Sequence, residues 1–424
     1  MEQLEKFKLY DNILCIDLKC FFASVECIDL KKDPFTYDLV VADKSRGKSS
    51  IVLAVSPSLK KKGIPGRCRI FDLPKNLNID IIKPRMARYI EISNQILKMY
   101  LKYFASNDIL VYSIDEVFID ITSYRNFYKK NAYEIACLLL NELKQIFGLT
   151  AACGIGHNML LAKLALDIEA KHNPDNIATW TYDDLPTKLW PITNLNEVWG
   201  IGRGLSKRLK LLGINSMYDL AHYDIYKLVK EFGMMGEEIF LHAHGIDVSK
   251  IQEQDNTTKR KGYNVNHTLF KNTPKNQVRQ LVKELVIQLA HRLRTDNKAT
   301  SVIQLYIGYA SNEEQPSFRM QKKLETPTID LATLSNIVMN IFDKEVLDIS
   351  IRRIGLSFSK LSEFEGVQLN IFEQEHEIDN INLDFAYDMV NIKYGQNTVF
   401  KASALSEDSQ FFKRSKLIGG HNAK

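Results

Sequence analysis

The sequence predicts an α+β multidomain fold: two ferredoxin-like units, the first carrying a small insertion, joined through a helical domain. Three observations predict it. A β-α, helical-excursion, β-β-α-β series can be read over residues 11–31 and 78–156, and a second β-α-β-β-α-β series over 262–358, both in the split βαβ pattern. Between them, Val198-Trp199-Gly200-Ile201-Gly202 places a glycine turn among amphipathic helices. A length of 424 residues also exceeds one typical core, so about three domains are expected.

Composition excludes several classes. With 45% hydrophobic and 25% charged residues the chain is ordinary for a soluble globular protein, and no apolar run is long enough to span a membrane. The start, Met1-Glu2-Gln3-Leu4-Glu5-Lys6, lacks the basic stretch and apolar core of a signal peptide, so a cytoplasmic location is expected. Six cysteines (15, 20, 27, 68, 137 and 153) show no C-x-x-C spacing and sit mostly in apolar runs, as buried free thiols do in a reducing compartment. A net charge of +5 permits nucleic-acid binding without demanding it.

In order along the chain, residues 12–18 form a short apolar run ending in Asp17, a buried strand with a carboxylate at its end. Lys19 to Cys27 then take helical spacing, so Asp17 lies at a strand-to-helix junction where free backbone N–H groups suit phosphates. Phe21 and Phe22 follow at once; for Phe21 the core reading is the simpler one. Residues 32–77 form a compact module with two β-like runs, 37–42 and 50–55, joined by a basic loop and followed by Lys60-Lys61-Lys62, Arg67 and Arg69. Repeated basic clusters on so small a module lean toward a polyanion, with a solvated face as the plainer alternative.

A helix over 85–103 leads to Tyr112-Ser113-Ile114-Asp115-Glu116-Val117-Phe118-Ile119-Asp120, two β-rich runs around an acidic pair. This reads as a hairpin with Asp115 and Glu116 in its turn. Two crowded carboxylates call for a cation, and Mg²⁺ takes such oxygens while keeping positions open for water and phosphate. An exposed acidic turn is the bland alternative. The split βαβ order would set the strand ending at Asp17 beside this hairpin and supply a third carboxylate. A helix over 131–147, a strand over 149–155 and a helix from Asn158 to Lys171, stopped at Pro174, complete the unit.

In the helical domain, Gly200, Gly202, Arg203 and Lys207 form a helix-hairpin-helix pattern that exposes N–H groups to a DNA phosphate without reading sequence. Residues 251–261, ending in Lys259-Arg260-Lys261, read as a linker. The second β-α-β-β-α-β unit lacks an acidic cluster, and its Arg352 and Arg353 suggest phosphate contacts. Beyond it, Gln368-Leu369-Asn370-Ile371-Phe372 is an extended segment of the kind that plugs a partner's apolar pocket.

The segment Asp17-Leu18-Lys19-Cys20-Phe21-Phe22-Ala23-Ser24-Val25-Glu26, the acidic motif at 112–120 and the helix-hairpin-helix together resemble the Y-family translesion DNA polymerases, with the look of the UmuC-like bacterial branch. The resemblance covers residues 11 to 372. It implies a palm at 1–31 and 78–175, inserted fingers at 32–77, a thumb at 176–250, a linker at 251–261, a little finger at 262–361 and a tail at 362–424. It implies two Mg²⁺ ions held by Asp17, Asp115, Glu116 and the Leu18 carbonyl, and Phe22 as the steric gate against ribonucleotides. The nucleotide-binding set would be Cys20, Phe21, Phe22, Ser56, Lys60 and Lys171; DNA would meet Gly200, Gly202, Arg203, Lys207, Lys259, Arg260, Arg352 and Arg353. Gln368, Leu369, Ile371 and Phe372 would bind a sliding clamp. The fingers depart from the family pattern: Pro57 stands where a tyrosine is usual and Lys60 where an arginine is, so a bidentate fork becomes a point charge.

The expected activity is low-fidelity DNA-directed DNA synthesis from primer-template DNA and deoxynucleoside triphosphates, in lesion bypass during DNA repair and the SOS response. A UmuD-like subunit or a recombinase filament are further expected partners. Fingers of roughly 45 residues enclose little of a nascent base pair, which weakens selection by shape. The alternatives are a non-catalytic damaged-DNA-binding accessory protein and a nucleotide cyclase. Three clustered carboxylates argue against the first, and the helix-hairpin-helix against the second.

Overall fold

A computed structural model of the chain describes residues 2–253, 261–366 and 376–424. It divides into two compact units, residues 1–256 with 422–424 and residues 257–421.

The first unit is built on a five-stranded sheet in the order β5-β6-β1-β7-β8. Its strands are β1 (Ile13–Leu18), β5 (Ile109–Val111), β6 (Glu116–Asp120), β7 (Ala151–Gly156) and β8 (Ile177–Trp180). The first four give the ferredoxin-like order, with β1 antiparallel to both β6 and β7. Strand β8, parallel to β7, was not expected from the sequence. Its four residues are too few to establish a period, yet Trp180 is 1% exposed and anchors the sheet edge.

Both faces of this sheet are covered, which is why β1 reads as a continuous apolar run. Leu14, Ile16 and Leu18 point to one core together with Val117 and Ile119; Ile13 and Cys15 point to the other with Phe118. The first face carries α1 (Phe21–Asp29), Met86–Tyr100 and Ala132–Phe147. The last of these starts with a capping box between Asn131 and Glu134 and ends at Gly148 in the left-handed region, as its sequence signals suggest.

The second face is covered by the helix Met159–Leu164, capped by Asn158, whose side chain accepts from Leu161 N–H. Residues Ala165–Ala170 continue it with π geometry. This helix lies directly on the backbone of β7. A Cβ on Gly154 would come 2.0 Å from the Ala162 carbonyl oxygen, and one on Gly156 would come 2.3 Å from Ala162 N. Only glycine admits that approach.

The basic module has its own small core around Val40, Val52, Val55 and Leu59. Its sheet has the order β3-β2-β4, with β2 (Leu39–Ala42), β3 (Val52–Val55) and β4 (Asp80–Ile82). Pairing of β4 with β2 carries the module past the boundary expected at residue 77.

In the second unit every expected element is present, as β9 (Gly262–Thr273), Lys275–Thr295, β10 (Lys298–Tyr309), β11 (Phe318–Thr328), Leu331–Glu345 and β12 (Ile351–Glu363). The strand order is β11-β10-β12-β9. Its central pair is thus the second and fourth strands, where a ferredoxin-like sheet, like the first unit's, joins the first and third. Both helices pack on one face; the other presents Gln304, Tyr306, Ser357 and Arg353 in register with Gln321, Arg319, Asn264 and Thr268. The tail, which showed only weak periodicity, forms a 19-residue helix, His376–Tyr394, within this unit.

Candidate active site

The site begins at the paired ends of β1 and β6. Asp17 stands directly opposite Glu116 in the antiparallel register, so both carboxylates lie on one face, about 5 Å apart at Cβ. Glu116 is the first residue of β6 and not part of the turn, as the sequence suggested; the turn comprises residues 112–115. Asp115 is held there by Ser113, whose hydroxyl donates to Oδ1 at 2.6 Å, while Leu18 N–H donates to the Asp115 carbonyl at 2.9 Å. The three acidic residues therefore close one end of the sheet beside Leu18.

The helix over 159–170 covers that same face. Lys171 Nζ lies 2.8 Å from Asp17 Oδ2 and 2.8 Å from Asp167 Oδ1; Lys163 Nζ lies 2.6 Å from Glu116 Oε1. Burial lifts the Asp17 carboxyl above its ordinary value; Lys171 pulls it back, and Asp115 and Glu116 add to the rise. Burial opposes the charge of Lys171, but Asp17 and Asp167 outweigh it and hold the ammonium above its usual range. Among the described residues no three His, Cys, Asp or Glu side chains are gathered to hold a metal ion. Two of the three carboxylates meet lysines instead. The donor chemistry nonetheless fits a hard divalent cation: Asp17 and Glu116 are opposite in register, Asp115 is next in sequence, and all are oxygen donors in a place that already accepts positive charge.

Beside Asp17 the chain turns through Cys20, in the left-handed region at φ 51°, and α1 starts at the next residue. A non-glycine residue held there stores strain of about 1 kcal/mol or more and is common at functional sites. The turn brings the free N–H groups of a helix start next to the carboxylates. Lys19, half-buried, donates to the Lys171 carbonyl and to Asn176. Burial lowers its pKa, and the charges of Lys60 and Lys171 lower it further.

Phe22 is partly exposed and stacks on Tyr89, ring centroids 4.4 Å apart and 15° from parallel. Phe21 is 3% exposed and belongs to the core, as its simpler reading held. Ser56 is fully buried: it caps a short helix, and its hydroxyl accepts from Leu39 and Leu59 N–H. Phe21 and Ser56, which the resemblance sets among the nucleotide-binding residues, thus have these structural roles.

In the helical domain Gly200 takes φ +89° and Gly202 starts the helix Arg203–Leu211. Nothing stands within 4 Å of a Cβ on Gly202, so the helix start is open. Trp199 reaches back to the acidic hairpin, its Nε1 donating to the Tyr112 hydroxyl at 3.1 Å. In the second unit, Arg352 and Arg353 line a concavity with Tyr306 and Tyr309. Lys259, Arg260 and the segment Gln368, Leu369, Ile371 and Phe372 lie outside the described residues.

Sequence reasoning missed Lys163, Asp167 and Cys15. Their signal was present as Lys163, Asp167 and Lys171 at i, i+4 and i+8, but the face they share with Asp17 and Glu116 is set by the sheet.

Acidic strand ends beside a helix start, with a glycine hairpin and a basic sheet elsewhere on the chain, fit the class of nucleic-acid polymerases. Comparison with known proteins agrees. The impB/mucB/samB family pattern matches residues 16–167, its C-terminal domain 260–371, and its helix-hairpin-helix motif 182–214. UvrX of Bacillus subtilis, a UV-damage repair protein by its name, is 33% identical over 419 residues, covering 97% of this chain and 98% of that protein. DNA polymerase IV 2 of the same organism is 28% identical over 414 residues, 96% of this chain and 98% of its own length. A solved Y-family DNA polymerase chimera shares the fold at a TM-score of 0.64 and 21% identity, over 83% of this chain and 99% of the chimera. The chain belongs to the impB/mucB/samB family of Y-family DNA polymerases, which use divalent metals. No helix among the described residues is long and apolar enough to cross a membrane.

Proposed function

We propose that this chain extends a primer on a DNA template with low fidelity, joining deoxynucleotides across damaged bases during DNA repair. The observation that carries the reading is the register pair Asp17–Glu116 beside Asp115, facing a helix that brings lysines to it. Asp17, Asp115, Glu116 and the Leu18 carbonyl would hold two Mg²⁺ ions. There they would supply a lower pKa for the primer hydroxyl and neutralisation of charge on the triphosphate.

The protein's own groups do the rest. Lys171 is 30% exposed and can leave Asp17 for a triphosphate oxygen, with Lys19 and Lys60 adding positive charge nearby. Phe22 presents a ring against the sugar, leaving no room for a 2′-hydroxyl. Gly200, Gly202, Arg203 and Lys207 hold a DNA phosphate at a helix start, and Arg352 and Arg353 offer further phosphate contacts. The small basic module supports weak enclosure of the base pair. Gln368 to Phe372 is proposed to engage a sliding clamp, with a UmuD-like subunit or recombinase filament as further candidates for the tail. A cytoplasmic location goes with these partners.

Primer-template extension with Mg²⁺ and deoxynucleotides tests the reading. Wild-type protein extends the primer, and Asp115→Ala loses several orders of magnitude in rate. Wild-type extension by Asp115→Ala would remove the assignment; DNA binding without any extension would favour the accessory-protein alternative.

A further inference from the structure

The two lysines on the acidic site are not equivalent. Lys171 has 30% of its side chain exposed, whereas Lys163 has 8%, against 10% for its partner Glu116. Lys163 sits among Ala162, Leu164 and Ala165 on the helix pressed against the backbone of β7. Its ammonium bridges Glu116 Oε1 at 2.6 Å and Asp167 Oδ2 at 3.1 Å. On the sheet side, the buried Cys15 thiol donates to the same Oε1 at 3.2 Å. One oxygen of Glu116 thus has two donors, while among the described residues nothing donates to Oε2.

We infer that Lys163 is a positioning residue: a resident cation that stays beside Glu116 when divalent ions arrive, fixing Oε1 and leaving Oε2 as the single oxygen Glu116 offers. The inference rests on the metal reading of Asp17, Asp115 and Glu116. Lys171 can move off; Lys163, with 8% of its side chain exposed, would have to leave the largely buried Glu116 carboxylate, which is costly. Its charge also offsets one negative charge of the acidic cluster. The cations are then held less tightly, but in one arrangement.

The signature is opposite movement of affinity and turnover. Mn²⁺ alone serves as the probe, titrated by its EPR signal into the full chain bound to primer-template DNA. Lys163→Met removes the charge and keeps the volume. Its Mn²⁺ dissociation constant should fall about threefold or more, because an uncompensated carboxylate attracts the ion more strongly. Its kcat with Mg²⁺ should fall about tenfold or more, because Glu116 is no longer fixed, with the KM for deoxynucleotide near wild type. Lys163→Arg, which keeps the charge, should recover most of both. If Lys163→Met does not fold, Lys163→Gln takes its place with the same readouts. Mn²⁺ affinity that does not rise overturns the inference, since loss of packing alone weakens binding. Turnover that does not fall also overturns it, since the lysine would then be a counter-ion that metal simply displaces. Asp115→Ala measured alongside keeps the two readings apart: wild-type extension there would defeat the metal assignment itself, whatever Lys163 does.

Discussion

Phe22 is supported from behind by a chain of contacts the sequence does not announce. Its ring stacks on Tyr89, whose hydroxyl donates to Glu26 Oε1 at 2.6 Å, and Glu26, 2% exposed, is paired with Arg85 at 2.6 Å. If the ring screens the sugar, Phe22→Ala should raise ribonucleotide incorporation by about tenfold or more, measured as the ratio of kcat/KM for ribo- and deoxynucleotides. Tyr89→Leu removes the stacking surface without touching the ring, and should move that ratio in the same direction by a smaller factor. An unchanged ratio in both variants would mean that Phe22 is not the gate. At this scale the acidic triad was legible, because a carboxylate ending an apolar run and an acidic hairpin are local patterns. Lys163, Cys15 and Tyr89 were not, because each acts through a partner brought near only by the tertiary fold.

Among the elements, the close contact of the helix over 159–170 with β7 governs where the lysines fall. Gly154→Ala would drive a methyl carbon into the Ala162 carbonyl, and should lower stability by about 3 kcal/mol or more, seen as a lower urea midpoint. The tail helix depends on charge. Arg294, with a side chain 2% exposed, binds Asp388 at 2.6 Å and Asp384 at 3.3 Å from within the helix Lys275–Thr295. Arg294→Met leaves two carboxylates without their cation, and should cost about 3–5 kcal/mol. Limited proteolysis should then cut within residues 376–394 while the remainder of this unit resists. Such mixed docking explains why the tail helix escaped the sequence reading: its inward side alternates Ile381 and Phe385 with Asp384 and Asp388, so the apolar period is broken. β8 escaped for a different reason, being only four residues long. The order of strands in the second sheet was also hidden, since a β-α-β-β-α-β series is compatible with either central pair.

At the scale of the whole molecule, a net charge of +5 understates how the charge is distributed. The carboxylates gather at one end of the first sheet, while the open face of the second sheet carries Arg319 and Arg353. Binding through such a face is ionic, and falls with salt as counterions return to the DNA. Arg353→Ala should weaken binding about equally across template sequences and reduce the slope of log K against log salt by about one. An unchanged slope would remove Arg353 from the phosphate contacts.

The π segment at residues 165–170 adds one more consequence. Lys171 N–H reaches back to the Leu166 carbonyl, five residues away, where an α-helix would take four. The helix thus carries one residue of phase that a regular helix lacks, placed between the two cations. Lys163 precedes the slip and Lys171 follows it. Were the same residues wound as a regular α-helix, all that follows the slip would rotate by roughly 100° about the axis. Lys171 would turn away from Asp17 while Lys163 kept its place on Glu116. The angular offset between the lysines is therefore set by the backbone slip and not by either side chain.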